Sequence, residues 1–115
     1  MSYMLLIVEP EHQRGARSPA QGHEVYQRML DYTGRLQGRG VLVASNSLRA
    51  AAVRLNVHAG RRSVMDGPFT EAKEFVGGFF LLDVDTREQA LELAAECPAA
   101  EWATIEVREV GPCYE

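Results

Sequence analysis

Asp66 stands ahead of Gly67, Pro68 and Phe69, between an apolar segment and a polar one, and is the residue of this chain best placed for chemistry. A carboxylate held at a strand end by a Gly-Pro turn can take a proton as general base or hold a polar group of a ligand. The competing role is architectural: Asp before Gly-Pro ordinarily bonds the amides of its own turn, and that reading is the more economical. Gly67 and Pro68 then shape the turn, and Phe69 anchors it in apolar surroundings. Arg54, Asn56 and His58 recur on the polar side of an alternating segment. They could line a cleft, although an exposed strand face is the simpler description. Lys73 and Glu74 could meet an anionic group at the mouth of the same cleft; such a pair more often faces water and contributes little. The expected ligand-binding set is Arg54, His58, Asp66, Phe69 and Lys73, with Asp66 the one candidate for catalysis.

Other chemistries find less to work with. Gly77-Gly78 is not followed by a Lys and a Ser or Thr at phosphate-loop spacing. Close backbone approach explains it better, so it joins Gly67 and Pro68 as structural. His12, His23 and His58 are too dispersed for zinc, and with no HExxH and no paired Cys no metal is expected. No cofactor is expected either. Cys97 falls at a helix C-terminus, away from the positive helix end that activates a thiol, and reads as inert and buried. Trp102 and Tyr32 could floor a cavity, and core packing accounts for them equally well.

The elements that must position these residues fit one domain, 1–115. The chain has 115 residues, 46% of them hydrophobic and 24% charged, which is ordinary for a globular domain. A net charge of −4 argues against nucleic acid or an anionic membrane as partner, since both need a basic face. The two cysteines, Cys97 and Cys113, have no metal spacing, and a reducing cytoplasmic compartment is expected. The apolar run Met4–Val8 is too short for a secretory core, and no stretch approaches a membrane span.

In chain order, Tyr3–Val8 reads as a strand buried on both faces and stopped by Glu9-Pro10. A polar loop follows from Glu11 to Arg17. Ser18, Pro19 and Gln21 make a capping box that starts a helix, whose stripe is Val25, Met29, Tyr32 and Leu36 and whose end is Gly38-Arg39-Gly40. Val41–Ala44 reads as a short strand closed by Ser45-Asn46-Ser47. Ala52–His58 and Arg62–Met65 form a hairpin about Gly60-Arg61, read as an arm on the main sheet. Thr70–Phe75 suggests a turn of helix, Gly77-Gly78 a break, and Phe79–Val84 a strand. Asp85-Thr86, with Glu88 or Gln89, starts a second helix that buries Ala90, Leu93, Ala94 and Cys97 and stops at Pro98. Thr104–Val110 is the last strand. The order predicts an α+β, ferredoxin-like βαββαβ fold with an inserted β-hairpin arm.

Two helices cover only one face of such a sheet. Tyr3–Val8 and Phe79–Val84 carry large apolar groups on both faces, so the far face needs a cover. Each such side chain buried is worth about 1.5–3 kcal/mol. A second copy set sheet to sheet about a two-fold axis supplies the cover and makes a dimeric α+β barrel; the competing cover is the arm folded back.

The segments YMLLI at Tyr3, MDGPFTEAKEFVGGFFLLDV at Met65, ALELAAECPAA at Ala90 and TIEVREV at Thr104 together resemble the YCII-related, DGPF-domain family along nearly the whole chain. The resemblance implies a ferredoxin-like homodimeric barrel from bacterial cytosol, of mostly unassigned function. Such proteins are often encoded beside sigma factors, which implies a sigma-factor partner and an accessory regulatory role. Some relatives are enzymes with a His on the first helix and an Asp before the proline that ends the second. Those positions are Met29 and Cys97 here. The expected function is a cytosolic homodimer that binds a small molecule in a cleft near the Asp66 turn. The alternative is a cofactor-independent lyase or isomerase on an aromatic or polyketide-like substrate, with Asp66 as base.

Overall fold

The computed structural model describes residues 2–115. Its elements run β1 (Ser2–Pro10), α1 (Pro19–Gly38), β2 (Leu42–Ser47), β3 (Val53–His58), β4 (Arg61–Asp66), β5 (Glu74–Asp83), α2 (Arg87–Ala95) and β6 (Thr104–Glu109). Short 3-10 turns lie at Arg14–Ala16 and Pro98–Glu101. Strands β2, β5, β1 and β6 form one antiparallel sheet in that order. This is consistent with a ferredoxin-like α+β fold.

Both helices begin where the capping chemistry predicts. The Ser18 hydroxyl accepts from the Gln21 amide while the Gln21 side chain accepts from the Ser18 amide. Thr86 and Gln89 repeat the exchange at α2. Each box satisfies amides that have no partner inside the helix. The α1 stripe closes unevenly. Leu36 and Tyr32 are fully buried, whereas Met29 and Val25 are only half-buried. The Tyr32 hydroxyl donates to the Leu93 carbonyl at 2.6 Å, tying α1 to α2. Its ring meets Phe80 edge to face.

The core lies between the helices and one sheet face: Tyr3, Leu5 and Ile7 from β1, Phe80 and Leu82 from β5, and Ala90, Leu93, Ala94 and Cys97 from α2 and its end. Burial alternates along both central strands. Met4, Leu6 and Val8 are half-buried on the other face, and the register pairs Met4 with Leu81 and Leu6 with Phe79 there. That face carries apolar groups with no helix over them.

Several boundaries differ from the sequence-based expectation. Ser45, Asn46 and Ser47 do not close β2 but extend it, paired with Phe80, Phe79 and Gly78. The long neighbouring strand overrides their turn preference. Thr70–Phe75 is not helical. The Ala72 amide closes one turn onto the Phe69 carbonyl, and β5 begins at Glu74. Pairing of Glu74 and Phe75 with Pro10 and Glu9 outweighs a weak helix propensity. Gly77-Gly78 is therefore interior to a strand, at a β-bulge between the Ile7 and Val8 pairs.

The hairpin turns at Ala59-Gly60, where φ is 50° and 74°, as a tight two-residue turn requires. Strands β3 and β4 pair only with each other, and every residue of both is exposed. They do not roof the apolar sheet face. The Cα radius of gyration, 16.1 Å, exceeds the roughly 13 Å of a compact chain this long. Among the described residues no helix is long and apolar enough to cross a membrane.

Candidate functional site

A cleft of about 560 Å³ opens where the α1 stripe closes incompletely, between Val25 and Met29 above and the sheet below. Ile7, Phe80 and Trp102 contribute apolar side chains, and Tyr26 and Leu30 stand exposed at the rim. Thr33 and the β2 residues Ser45, Asn46 and Ser47 supply polar groups. A mostly apolar cleft with few polar groups is the usual form of a small-molecule site.

One end is built around Glu9. It follows Tyr3, Leu5 and Ile7 on the helix-facing side of β1 and is 6% exposed. A buried carboxylate needs a partner, and Arg14 supplies a two-pronged one. The Arg14 Nε donates to Glu9 Oε1 at 2.7 Å and Nη2 to Oε2 at 3.1 Å. The same guanidinium donates to the Leu48 carbonyl at 2.7 Å and to the Gly77 carbonyl at 3.1 Å, and it lies 5.0 Å over the Phe75 ring. One side chain thus ties the ends of β1 and β2 to the bulged part of β5. Gly77 makes room for the Glu9 carboxylate, and Gly78 lets the backbone of Asn46 approach.

The mouth holds a second arginine. The Gln13 side-chain amide donates to the Trp102 carbonyl at 2.8 Å, and Arg17 Nη2 donates to the Gln13 side-chain carbonyl at 3.3 Å. The Arg17 guanidinium lies 5.6 Å from the Trp102 ring centroid, and Arg28 flanks the same ring at 5.3 Å. Arg28 is ion-paired with Glu101, which depresses the Glu101 pKa.

None of the five ligand-binding residues expected from sequence lines this cleft. Arg54 and Phe69 do come together, with the guanidinium 3.7 Å from the ring centroid and ion-paired to Glu71. Asp66 is exposed at the end of β4, opposite Val53. His58 lies at the far end of the hairpin opposite Arg61, five residues or about 17 Å along the strand from that pair. Lys73 is exposed, and its carbonyl accepts from the Glu11 amide at 2.8 Å. Gly67 sits close to the Ala52 carbonyl, to which its amide donates at 2.9 Å, and the Gly67–Pro68 peptide is cis.

Met29, at the helix position where some relatives carry His, lines the cleft. Cys97, at the place of their Asp, is 2% exposed, and burial pushes its thiol up to about 11. Neither supplies the imidazole or carboxylate of that pair. Glu9, Gln13, Arg14 and Arg17 were missed in the sequence. A signal existed: Glu9 continues the two-residue period of Tyr3, Leu5 and Ile7, and a carboxylate there requires a nearby cation. Among the described residues no group of His, Cys, Asp and Glu is placed to hold a metal ion.

Fold and cleft define a small α+β domain with a pocket between a helix and an antiparallel sheet. The YCII-related domain family matches residues 1–113, and the chain belongs to that family. It is also similar to an uncharacterized protein, R00369, of Rhizobium meliloti (strain 1021), with 41% identity over 63 residues. That match covers 53% of this chain and 51% of the relative, so the chain spans about half the length of the curated relative it matches.

Proposed function

We propose that this protein is a cytosolic homodimer that binds a small molecule in the cleft beneath Val25 and Met29. The observation that carries the reading is the cleft itself: about 560 Å³, walled largely by apolar side chains, with its charged groups at the Glu9–Arg14 end and the Arg17 mouth and uncharged polar groups from Thr33 and β2. That volume is within the range of small-molecule pockets. It supports binding at Gly77-Gly78 and not at the Asp66 turn, which lies outside the lining.

The second copy would cover the sheet face that carries Met4, Leu6, Val8, Phe79 and Leu81. The hairpin supports the same reading. Val53, Leu55, Val57 and Val64 share one of its faces and are 52–61% exposed. An isolated two-stranded hairpin is marginal in water, so these groups call for a packing partner. The resemblance to proteins encoded beside sigma factors adds a protein partner for the dimer, which co-purification with a co-expressed sigma factor tests.

The enzymatic alternative needs Asp66 and a cationic or imidazole group converging on one molecule. It draws no support from the placement of His58 at the far end of the hairpin or from the engagement of Arg54 by Glu71. Amide-shift mapping by NMR with a library of small aromatic fragments tests the binding reading. Shifts clustered at Gly22–Thr33, Ser45–Ser47 and Gly77–Phe80 are expected. Shifts confined to Asp66–Lys73 would contradict it.

A further inference from the structure

Three arginines stand around the cleft, and they differ in one respect. Arg14 is neutralised by Glu9 and Arg28 by Glu101. Arg17 has no carboxylate: the five ion pairs among the described residues involve Arg14, Arg28, Arg39, Arg54 and Arg108. It is nonetheless held in place. Gln13, itself anchored on the Trp102 carbonyl, accepts one Arg17 N–H, and the indole lies under the guanidinium. The remaining donors of the fork make no hydrogen bond with the described residues. Of the other arginines without a carboxylate, Arg35 is exposed on α1 and lines a more polar surface pocket beside Glu96 and Glu101, while Arg61 and Arg62 are exposed on the hairpin.

A half-buried, pre-positioned guanidinium with open donors at the mouth of an apolar cleft is complementary to an anion with an apolar body. A carboxylate fits the planar fork through two parallel hydrogen bonds. The charge balance inside the cleft agrees, with Arg14 and Arg17 set against Glu9 alone.

We infer that the ligand is an amphipathic carboxylic acid, with its carboxylate on Arg17 at the Trp102 mouth and its apolar part against Met29 and Phe80. This rests on the small-molecule reading above and adds the ligand's charge and orientation. Arg17 is a ligand-binding residue in this assignment, and Gln13 positions it.

Trp102 is the only tryptophan of the chain and lines the cleft, so its emission reports occupancy. The test titrates the protein with 4-phenylbutanoate and, separately, with the neutral 4-phenylbutanamide. The acid is expected to bind about 10- to 100-fold more tightly than the amide, the usual range for a hydrogen bond to a charged group. Arg17→Gln should remove most of that preference while leaving amide binding unchanged, and Arg17→Lys should restore part of it. Arg28→Gln, which removes the other guanidinium beside the indole, should leave the preference intact. Equal binding of acid and amide by the native protein would overturn this inference and leave the cleft reading standing. Equal weakening of both ligands by Arg17→Gln would assign Arg17 to packing alone and overturn it too. Binding of neither compound would overturn both readings.

Discussion

Glu9 Oε2 lies 1.8 Å from where a Cβ on residue 77 would stand, so the Glu9 carboxylate occupies the space that Gly77 leaves empty. The relationship explains a glycine in the interior of a strand, where the residue is otherwise costly. It also predicts the effect of filling that space. Gly77→Ala must displace the carboxylate from Arg14, and Arg14 Nη2 itself lies 2.7 Å from the same point. A fully buried pair broken this way costs about 3–5 kcal/mol; with Arg14 partly exposed, a loss of about 2–3 kcal/mol is expected in urea unfolding. In a Glu9→Ala background the same substitution should cost markedly less, and strict additivity of the two would contradict the shared space.

The uncovered sheet face predicts the assembly. Light scattering at low micromolar concentration should give about twice the 12.8 kDa chain mass. Phe79→Asp, on the face away from the helices, should give a folded monomer. Leu55→Glu should weaken association less than Phe79→Asp, since it removes only part of the hairpin's apolar stripe. A native monomer at that concentration would remove the case for the second copy.

The two thiols should separate cleanly. Cys113 is exposed, whereas Cys97 is buried and its thiol is raised by that burial to about 11. The thiolate is the reactive form. At pH 8 one equivalent of a disulfide reagent should react quickly and the second only on unfolding. Rapid reaction of both would contradict the packing around the end of α2.

Acid should weaken the contacts between the helices and the segments beside them. Hydrogen bonding to Arg39 lowers the Glu96 pKa, and hydrogen bonding to Arg28 lowers that of Glu101. Carboxylates whose folded pKa is depressed contribute stability above the unfolded value, and it is lost as pH falls through the folded one. The melting temperature should therefore hold from pH 7 to about 5 and decline below about 4.5. High salt should shrink the effect, because both pairs are exposed. A decline that persists unchanged in Arg39→Gln, Arg28→Gln protein would assign it to other groups.

The helices were legible in the sequence because their signals are local. Ser18 with Gln21 and Thr86 with Gln89 close capping boxes within three residues, and the stripes Tyr32–Leu36 and Ala90–Leu93–Ala94 need only helical spacing. What was misplaced depends on partners far along the chain. Ser45–Ser47 reads as a turn until β5 lies beside it, and Thr70–Phe75 reads as helix until β1 pairs with Glu74 and Phe75. The cleft was hidden for the same reason. Asp66, Phe69 and Arg54 form a conspicuous local constellation, whereas Glu9, Arg14, Gly77 and Trp102 meet only after folding, the Gln13–Trp102 contact spanning 89 residues.

A crystal structure of the protein soaked with 4-phenylbutanoate tests the site most directly. Density between Met29 and Phe80, with the carboxylate within hydrogen-bond distance of Arg17, is the predicted result. A molecule seated beside Asp66 and Phe69, with the space under α1 left empty, would contradict it.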